Sequence, residues 1–259
     1  MQDRYVILEV PQKDGDPRND AIDIRSAIGT NHLSYGAAYY PFLSTTIPLA
    51  FDPKDSKTVN GGQDIEQIRK NDNAAYYKIL DQLGKFHAVL PPGSAIAGVY
   101  TSTDNSRGVW KAPANVSLNS VTGPVVKISH ADQEGLNIDA NSGKSINAIR
   151  TFPGKGILVW GARTLLGNDN DWRYISVRRL FIMVEESLKK ATQFAVFEPN
   201  DAGTWLKVKS MIDSYLYVLW KQGAMAGENQ NQAYFINIGI GTTMPPQDIL
   251  EGKMIVEVG

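Results

Sequence analysis

The sequence predicts an α/β fold, with α+β as the alternative, in which helices flank one or more mixed sheets. Two kinds of segment alternate along its 259 residues: short apolar runs bounded by glycine or proline, and longer stretches with apolar residues at three- or four-residue steps. The runs predict strands and the stretches predict amphipathic helices. Because the two kinds alternate, we expect sheets covered by helices.

The predicted strands are short and occur in both halves of the chain. Apolar or aromatic runs closed by turn residues place them at 5–10, 35–43, 125–129, 146–150, 157–160, 234–238 and 254–258. The run that ends at Trp160 is predicted to be buried.

The predicted helices lie at 21–28, 74–83, 91–100, 131–136, 172–190, 204–222 and 247–250. Two long ones carry apolar stripes that predict core-facing sides, namely Tyr174, Val177, Phe181, Val184 and Leu188, and Trp205, Val208, Ile212, Tyr215 and Leu219. Asn170 or Asp171 can cap the first of these helices and Asp201 the second. On the outer side of the helix 172–190, Glu185 with Lys189 and Glu186 with Lys190 are spaced for ion pairs.

Two polar stretches interrupt this pattern. The segment 52–73 predicts a surface excursion, and the loop-like stretch 104–123 supplies the best internal boundary. We place that boundary near Asn119, which divides the chain into residues 1–118 and 119–259.

Composition excludes several classes of function. With 26 basic and 27 acidic residues the net charge is −1, so no overall field attracts nucleic acid. The absence of cysteine excludes disulfides and thiolate chemistry. No apolar stretch reaches the roughly 20 residues that a membrane-spanning helix needs, and the start lacks the pattern of a signal peptide.

No motif supports catalysis, a metal or a cofactor. NSGKS at 141–145 lacks the first glycine of a phosphate-binding loop, since Ile138 stands there, and is predicted to be a turn. GTTMPP at 241–246 resembles a protease nucleophile segment with Thr243 in place of serine, but His32, His87 and His130 lie in no triad setting. A degenerate α/β hydrolase with Thr243 as nucleophile therefore remains an alternative function, and a carbohydrate-binding module using exposed aromatics is another.

A long series of ordered motifs carries a resemblance to a known family. The motifs are IRTFPGKGILVWGARTL, DWRYISVRRL, MVEES, FEPN and a helix ending LWKQGAMAG; upstream are GAAYYPFL, PPGSAIAGVYTSTDNSRGVWKAPAN and EGLN, and QDILEGKMIVEVG follows at 247–259. Together they resemble contractile tail sheath proteins of phages and phage-derived contractile injection systems. Separated motifs in one order are far more specific than any single one.

The resemblance implies a structural, non-enzymatic function. It implies a partial subtilisin-like sheath domain at 1–118 followed by the C-terminal sheath domain at 119–259. The expected partners are other sheath subunits, an inner tube protein and a baseplate, without nucleic acid, membrane insertion or a cofactor. The expected locations are the bacterial cytoplasm during assembly, and then a virion tail or an extracellular contractile particle.

Contacts between subunits are expected at two places. Arg178 and Arg179 on the helix 172–190 are candidates for a charged contact, and the strand edge formed by Met254, Ile255, Val256, Glu257 and Val258 is a candidate for pairing with another chain. The resemblance also implies terminal arms that this sequence lacks, so we expect a core fragment that is mainly monomeric or weakly associated in solution.

Overall fold

A computed structural model describes residues 3–13, 15–49 and 65–259. The chain forms two compact units: the first comprises Tyr5–Arg178, and the second comprises Arg179–Gly259 together with the residues before Tyr5. Helices and mixed sheets make up the fold, which confirms the predicted class. Among the described residues, no helix combines the length and hydropathy that a bilayer-crossing segment requires.

The first unit is built on a five-stranded sheet and a three-stranded sheet. Its strands are β1 (Val6–Glu9), β2 (Gly36–Tyr40), β3 (Leu43–Pro48), β4 (His87–Leu90), β5 (Val116–Ser117), β6 (Val121–Pro124), β7 (Ile146–Phe152) and β8 (Gly156–Trp160). The larger sheet has the order β1-β2-β7-β8-β5, in which β1, β2 and β7 run parallel and β8 and β5 join antiparallel. The smaller sheet has the antiparallel order β4-β3-β6.

Helices cover both faces of the five-stranded sheet. They are α1 (Pro17–Ala27), α4 (Gly93–Arg107), α5 (His130–Asn137) and the start of α6 (Ile175–Ala191), while α2 (Ile65–Asn71) and α3 (Asn73–Leu83) pack against each other in a separate apolar cluster. On β2, Ala38 and Tyr40 enter one apolar core, while Ala37 and Tyr39 enter the other. Burial on both faces explains why this strand lacks the apolar–polar alternation of a half-exposed strand.

The NSGKS segment joins two helix ends within the first unit. The Lys144 ammonium is only 6% exposed and donates to the carbonyls of Arg25 and Ile28, at the end of α1, each at 2.5 Å. Arg25 in turn donates to the carbonyls of Gly135 and Leu136, at the end of α5, at 2.8 and 2.9 Å. Each cation thereby satisfies carbonyls that the helix itself leaves unpaired.

The second unit consists of the rest of α6, then α7 (Ala202–Lys221), α8 (Gln230–Ala233), β9 (Ile236–Ile238), α9 (Pro246–Leu250) and β10 (Val256–Val258). The Asp201 carboxylate accepts from the Thr204 amide at 2.9 Å, which confirms the predicted cap of α7. The buried side of α7 carries Thr204, Val208, Ile212, Leu216 and Leu219. Leu216 therefore takes the place predicted for Tyr215, and Trp205 is only half-buried.

Several predicted elements differ from the structure. The strand expected at 35–43 is two strands in different sheets, because the chain turns at Pro41 between β2 and β3. α4 runs seven residues beyond the expected end at Tyr100, from Gly93 to Arg107, and β6 precedes the strand expected at 125–129. Most of the excursion expected at 52–73 lies outside the described residues, and its described part includes α2, whose Ile65 is buried.

The compact units divide at a different position from the expected domain boundary. Asn119 lies between β5 and β6, inside the first unit. The five-stranded sheet takes β5 from before Asn119 and both β7 and β8 from after it, so this sheet spans the expected boundary. The division at 118/119 remains a prediction about the family's domain organisation, whereas the folded chain divides between Arg178 and Arg179.

Candidate functional site

The second unit contains a small β-hairpin that includes most of the predicted strand edge. β10 pairs antiparallel with β9, with Val256 opposite Ile238 and Val258 opposite Ile236. The Asn237 amide donates to the Glu257 carboxylate across the pair at 3.2 Å. Met254 and Ile255 precede β10, so the predicted edge at 254–258 is shortened to three paired residues.

The outer edge of β10 offers unpaired backbone groups. Phe235 and Gly259 exchange two backbone hydrogen bonds, at 2.7 and 3.2 Å. Hydrogen-bonded and non-hydrogen-bonded pairs alternate along an antiparallel ladder, so Glu257 also faces β9 while Val256 and Val258 direct their N–H and C=O groups away from it. No described strand pairs with that side of β10. Such an edge can accept another strand.

An apolar groove of about 910 Å³ runs along one face of β10. Met254, Val256 and Val258 line it at two-residue spacing, together with Val208 and Ile212 of α7. The alternating side chains, Ile255 and Glu257, are exposed on the opposite face. The groove and the free edge therefore lie on the same strand.

The sequence patterns did not identify the far wall of this groove. Val196 and Phe197 lie there, and Phe197 is fully exposed, at 102% of its reference area, with a positive φ of 72°. A non-glycine residue in that conformation is unusual, and an exposed phenylalanine leaves a large apolar area in water. The FEPN motif was the available signal, but its letters indicate a turn and not the direction of the ring.

Thr243 fastens the hairpin and does not resemble an activated nucleophile. Its hydroxyl donates to the Ile255 carbonyl at 2.7 Å and accepts from the Gly239 amide at 3.2 Å. All three histidines belong to the first unit, and the described residues contain no group of three or more metal-binding side chains. The hydroxyl of Thr243 is therefore used to tie the entry of β10 to the preceding turn.

A second polar contact fixes the hairpin on α7. The Tyr234 phenol donates to the Asp213 carboxylate at 3.1 Å, and Gln230 donates to the same carboxylate at 2.6 Å. Burial, together with the bond to Asp213, raises the pKa of Tyr234 to about 12, because both disfavour the phenolate. Tyr234 is thus a neutral donor at any ordinary pH.

The structure corrects the placement of Arg178. The residue is only 5% exposed, and its guanidinium carbon lies 3.4 Å from the ring centroid of Trp172 and 4.4 Å from that of Tyr35. It also donates to the Tyr35 hydroxyl at 3.1 Å. Arg178 is therefore a packing residue inside the first unit, so the expectation that it lies on a charged contact face is wrong.

The rest of α6 also differs from its predicted stripe. Ile175 and Arg178 are its buried residues, while Tyr174, just before the helix, and Phe181 are exposed. Arg179 is half-buried. The Glu186 carboxylate meets Lys189 at 3.6 Å, three residues on, in place of the expected four-residue pairs. Asp169, and neither Asn170 nor Asp171, accepts from the amides of Asp171 and Trp172 ahead of the helix.

The tryptophans pack mainly against groups of their own unit. Trp205 donates to Asn200 at 2.7 Å, and Trp220 donates to the Gly227 carbonyl at 3.0 Å and lies beside Lys221. Trp160 is 36% exposed, which contradicts its predicted burial, and its ring centroid lies 4.5 Å from that of Phe152, with the two ring planes tilted by 50°. Since Trp205 and Trp220 make hydrogen bonds within the second unit and Trp160 packs on the half-buried Phe152, these tryptophans do not favour the carbohydrate-binding alternative.

Comparisons with known proteins agree with the arrangement of these elements. Residues 167–239 match the phage tail sheath C-terminal domain family. Over 98% of its length the chain superposes on a sheath chain of the extracellular contractile injection system PVC in the contracted state, with 36% identity and a TM-score of 0.76. The chain is similar to contractile tail sheath proteins over almost its whole length. The resemblance carried by the ordered motifs is confirmed.

Other sheath proteins extend the comparison. The contracted helical sheath of the anti-feeding prophage matches over 98% of this chain, with 38% identity and a TM-score of 0.71. The tail sheath protein of Vibrio phage KVP40 is 27% identical over 165 residues. The match covers 24% of that phage protein, and the chain covers 59% and 57% of the two solved sheath chains. This chain therefore corresponds to part of the length of these relatives.

Proposed function

We propose that this chain forms the core of a structural subunit that polymerises around an inner tube above a baseplate and contracts to drive the tube into a target cell. The observation that carries the proposal is an unpaired strand edge, beside an apolar groove, in a fold shared with sheath proteins. Energy is held in a metastable extended lattice, and subunits rearrange to a more stable contracted one. The function is mechanical, without a catalytic residue, metal or cofactor.

The β10 edge is the proposed point of attachment between subunits. A strand from another sheath subunit pairs with the free N–H and C=O groups of Val256 and Val258, and its apolar side chains enter the groove. Each added backbone hydrogen bond contributes about 0.5–1.5 kcal/mol. A strand contact of this kind keeps two subunits linked while the lattice changes, because the hydrogen bonds between the paired strands do not depend on how the rest of each subunit is oriented.

Proline substitution tests this attachment. Val256→Pro removes a free-edge N–H without removing a hydrogen bond to β9, whereas the control Val256→Thr keeps the N–H and a β-branched side chain. In cells that also produce the tube and baseplate proteins, we expect the threonine variant to form sheaths and the proline variant to form none. Val258→Pro repeats the test at the second free position. Normal sheaths from both proline variants, by electron microscopy, would refute the attachment.

Arg179 remains the proposed charged contact on α6. Adjacent subunits slide during contraction, and charged lateral contacts can exchange partners during such a movement. We expect Arg179→Glu to block assembly or contraction, with Lys190→Glu at the exposed end of α6 as the control. Normal extended and contracted sheaths from the Arg179 variant would remove this residue from the proposal.

The place of assembly, the association state and the lack of enzymatic activity each have a separate test. Particles assemble in the bacterial cytoplasm and act as a virion tail or an extracellular particle, so genes for tube and baseplate proteins should neighbour this one. Without added partners the chain sediments mainly as a monomer, and stable rings or tubes would contradict this. Peptidase activity that disappears in Thr243→Ala would overturn the non-enzymatic assignment.

A further inference from the structure

A polar pocket of about 250 Å³ lies at the C-terminal end of α4, in the first unit. The last turns of α4 form one wall, and the segment leading into β5 forms the other. Arg107 and Lys111 both line it, and none of the described residues that line it is acidic. The pocket is therefore a concave site with two positive charges and no carboxylate among its described lining residues.

Neither cation is neutralised within the described part of the chain. Arg107 is exposed and has no ion pair or hydrogen bond to the described residues through its side chain. Lys111 is half-buried, and its ammonium donates to the Ala112 carbonyl at 3.3 Å, a long and uncharged contact.

Uncharged donors converge on the same space. Thr103 is 6% exposed, and its hydroxyl has no hydrogen-bond partner among the described residues. The side chain of Asn115 also lines the pocket, and its backbone amide is anchored to β8 by a 2.8 Å bond to the Val159 carbonyl. The Thr103 hydroxyl is not one of the fully buried polar atoms without a partner, so it is open to the pocket and available to donate to a ligand there.

The position of the pocket favours a carboxylate over a phosphate. Phosphate sites commonly use the amides at a helix N-terminus, whereas this pocket adjoins the C-terminus of α4, where the helix carbonyls carry partial negative charge. Those carbonyls penalise a dianion more than a monoanion. The planar fork of an arginine such as Arg107 matches both oxygens of one carboxylate.

We propose that this pocket binds the carboxylate of an aspartate or glutamate side chain supplied by a second copy of the chain. Arg107 and Lys111 neutralise it, and the Thr103 hydroxyl and the Asn115 amide complete its hydrogen bonds. Each copy has 27 acidic residues to offer. The source of the carboxylate rests on the proposed sheath function, while the binding chemistry of the pocket does not.

The pocket is tested first with soluble probes and isotope-labelled chain. The probes are N-acetylglutamic acid α-amide, its neutral glutamine analogue and inorganic phosphate, each titrated while backbone amide resonances are recorded. We expect saturable shifts of Thr103 and Asn115 with the glutamate probe, at a dissociation constant on the order of 1 mM, and none with the glutamine probe. Arg107→Gln with Lys111→Gln should weaken binding by about tenfold or more, whereas Lys127→Gln, an exposed control, should not.

Each other result overturns part of the proposal. Absence of shifts in the wild-type chain, or unchanged binding in the double variant, removes the anion site, and tighter binding of phosphate than of the glutamate probe removes the carboxylate assignment. The source is tested by carbodiimide coupling in assembled particles built from a mixture of ¹⁴N and ¹⁵N chains. We expect mixed-isotope peptides joining Lys111 to an acidic residue, and coupling confined to other lysines would overturn the second copy as the source. The probe titration needs no assembled particle. A chain that fails to form sheaths would therefore contradict the proposed function without changing the result for the anion site.

Discussion

Arg178 gives the most direct test of how the first unit holds the start of α6. Its guanidinium lies between the rings of Trp172 and Tyr35, at 3.4 and 4.4 Å, and donates to the Tyr35 hydroxyl at 3.1 Å. A cation–π contact contributes up to about 2 kcal/mol when it is removed from water, and a hydrogen bond to a charged group about 1.5–3 kcal/mol before the cost of desolvation. We therefore expect Arg178→Ala to lower the free energy of unfolding of the first unit by about 3 kcal/mol.

Arg178→Lys separates the charge from the shape of the side chain. Lysine keeps the positive charge but cannot stack a planar group between two rings, so we expect it to recover less than half of the loss. Arg173→Lys is the matched control, because that guanidinium lies 5.8 Å from the Tyr174 ring and is only half-buried. A change below about 1 kcal/mol is expected there, because lysine keeps the charge and Arg173 has only a distant ring contact and a hydrogen bond to Asn170.

The assay is urea unfolding, followed by tryptophan fluorescence and by hydrogen exchange of the amides at 175–178. Residue-resolved exchange is needed because a chain with two compact units need not unfold in one transition. The stacking argument fails if Arg178→Ala costs less than about 1 kcal/mol, or if Arg178→Lys is as stable as the parent chain.

Five other substitutions, at four positions, test separate features. Gly167→Ala should lower the free energy of unfolding by at least about 2 kcal/mol, because an added Cβ would lie 1.7 Å from the Ser145 hydroxyl in the core. Gly98→Ala in α4 has open space around the added Cβ and should raise the free energy of unfolding by about 0.5–1 kcal/mol. Thermal unfolding distinguishes the two variants. Burial alone would raise the pKa of Asp139, but hydrogen bonds from Ser142 and the charge of Arg25 outweigh it and hold that pKa below its usual range. The resulting stability is present above the ordinary aspartate pKa of about 3.9 and is lost as the pH falls through the lowered value. The urea midpoint of Asp139→Asn should therefore depend less on pH in that window than the midpoint of the parent chain. Equal pH dependence in the two chains would contradict the assignment. Thr243→Val should speed hydrogen exchange of the Glu257 and Gly259 amides, consistent with a loss of about 1–2 kcal/mol, and Thr243→Ser should preserve their protection; equal exchange in all three chains would show that the hydroxyl does not fasten the hairpin.

The sequence predicted elements well wherever a segment carries its own cap or period. Asp201 before α7 and the apolar steps of α3 are local signals, and both helices begin and end within a few residues of the expected positions. The period of an apolar run does not identify its pairing partner, so β2 and β3 could not be assigned to separate sheets from the letters alone. The extra turns of α4 were missed because Ser102, Asp104 and Asn105 favour loops when tertiary contacts are ignored.

The candidate site was predicted only in part. The edge at Val256–Val258 follows from its β-branched residues and position, and the structure adds which backbone groups remain unpaired. Arg178 was assigned to a surface because arginines are rarely buried, and only the tertiary arrangement brings Tyr35 within reach of a residue 143 positions away. Trp160 was placed in the core by its apolar neighbours, although the final position of a strand often lies at the rim of its sheet.

The carbonyl caps that Arg25 and Lys144 provide restrict how this chain can be recombined with its relatives. Arg25 and Lys144 are 119 residues apart in the sequence. Lys144 caps the end of α1, the helix that carries Arg25, and Arg25 caps the end of α5, the helix that precedes Lys144. A chimaera that imports α1 from a relative without the matching 139–145 turn would leave several partly buried carbonyls without donors. Crossovers between natural relatives should therefore keep these two segments together, and a designed graft should transfer them as a pair.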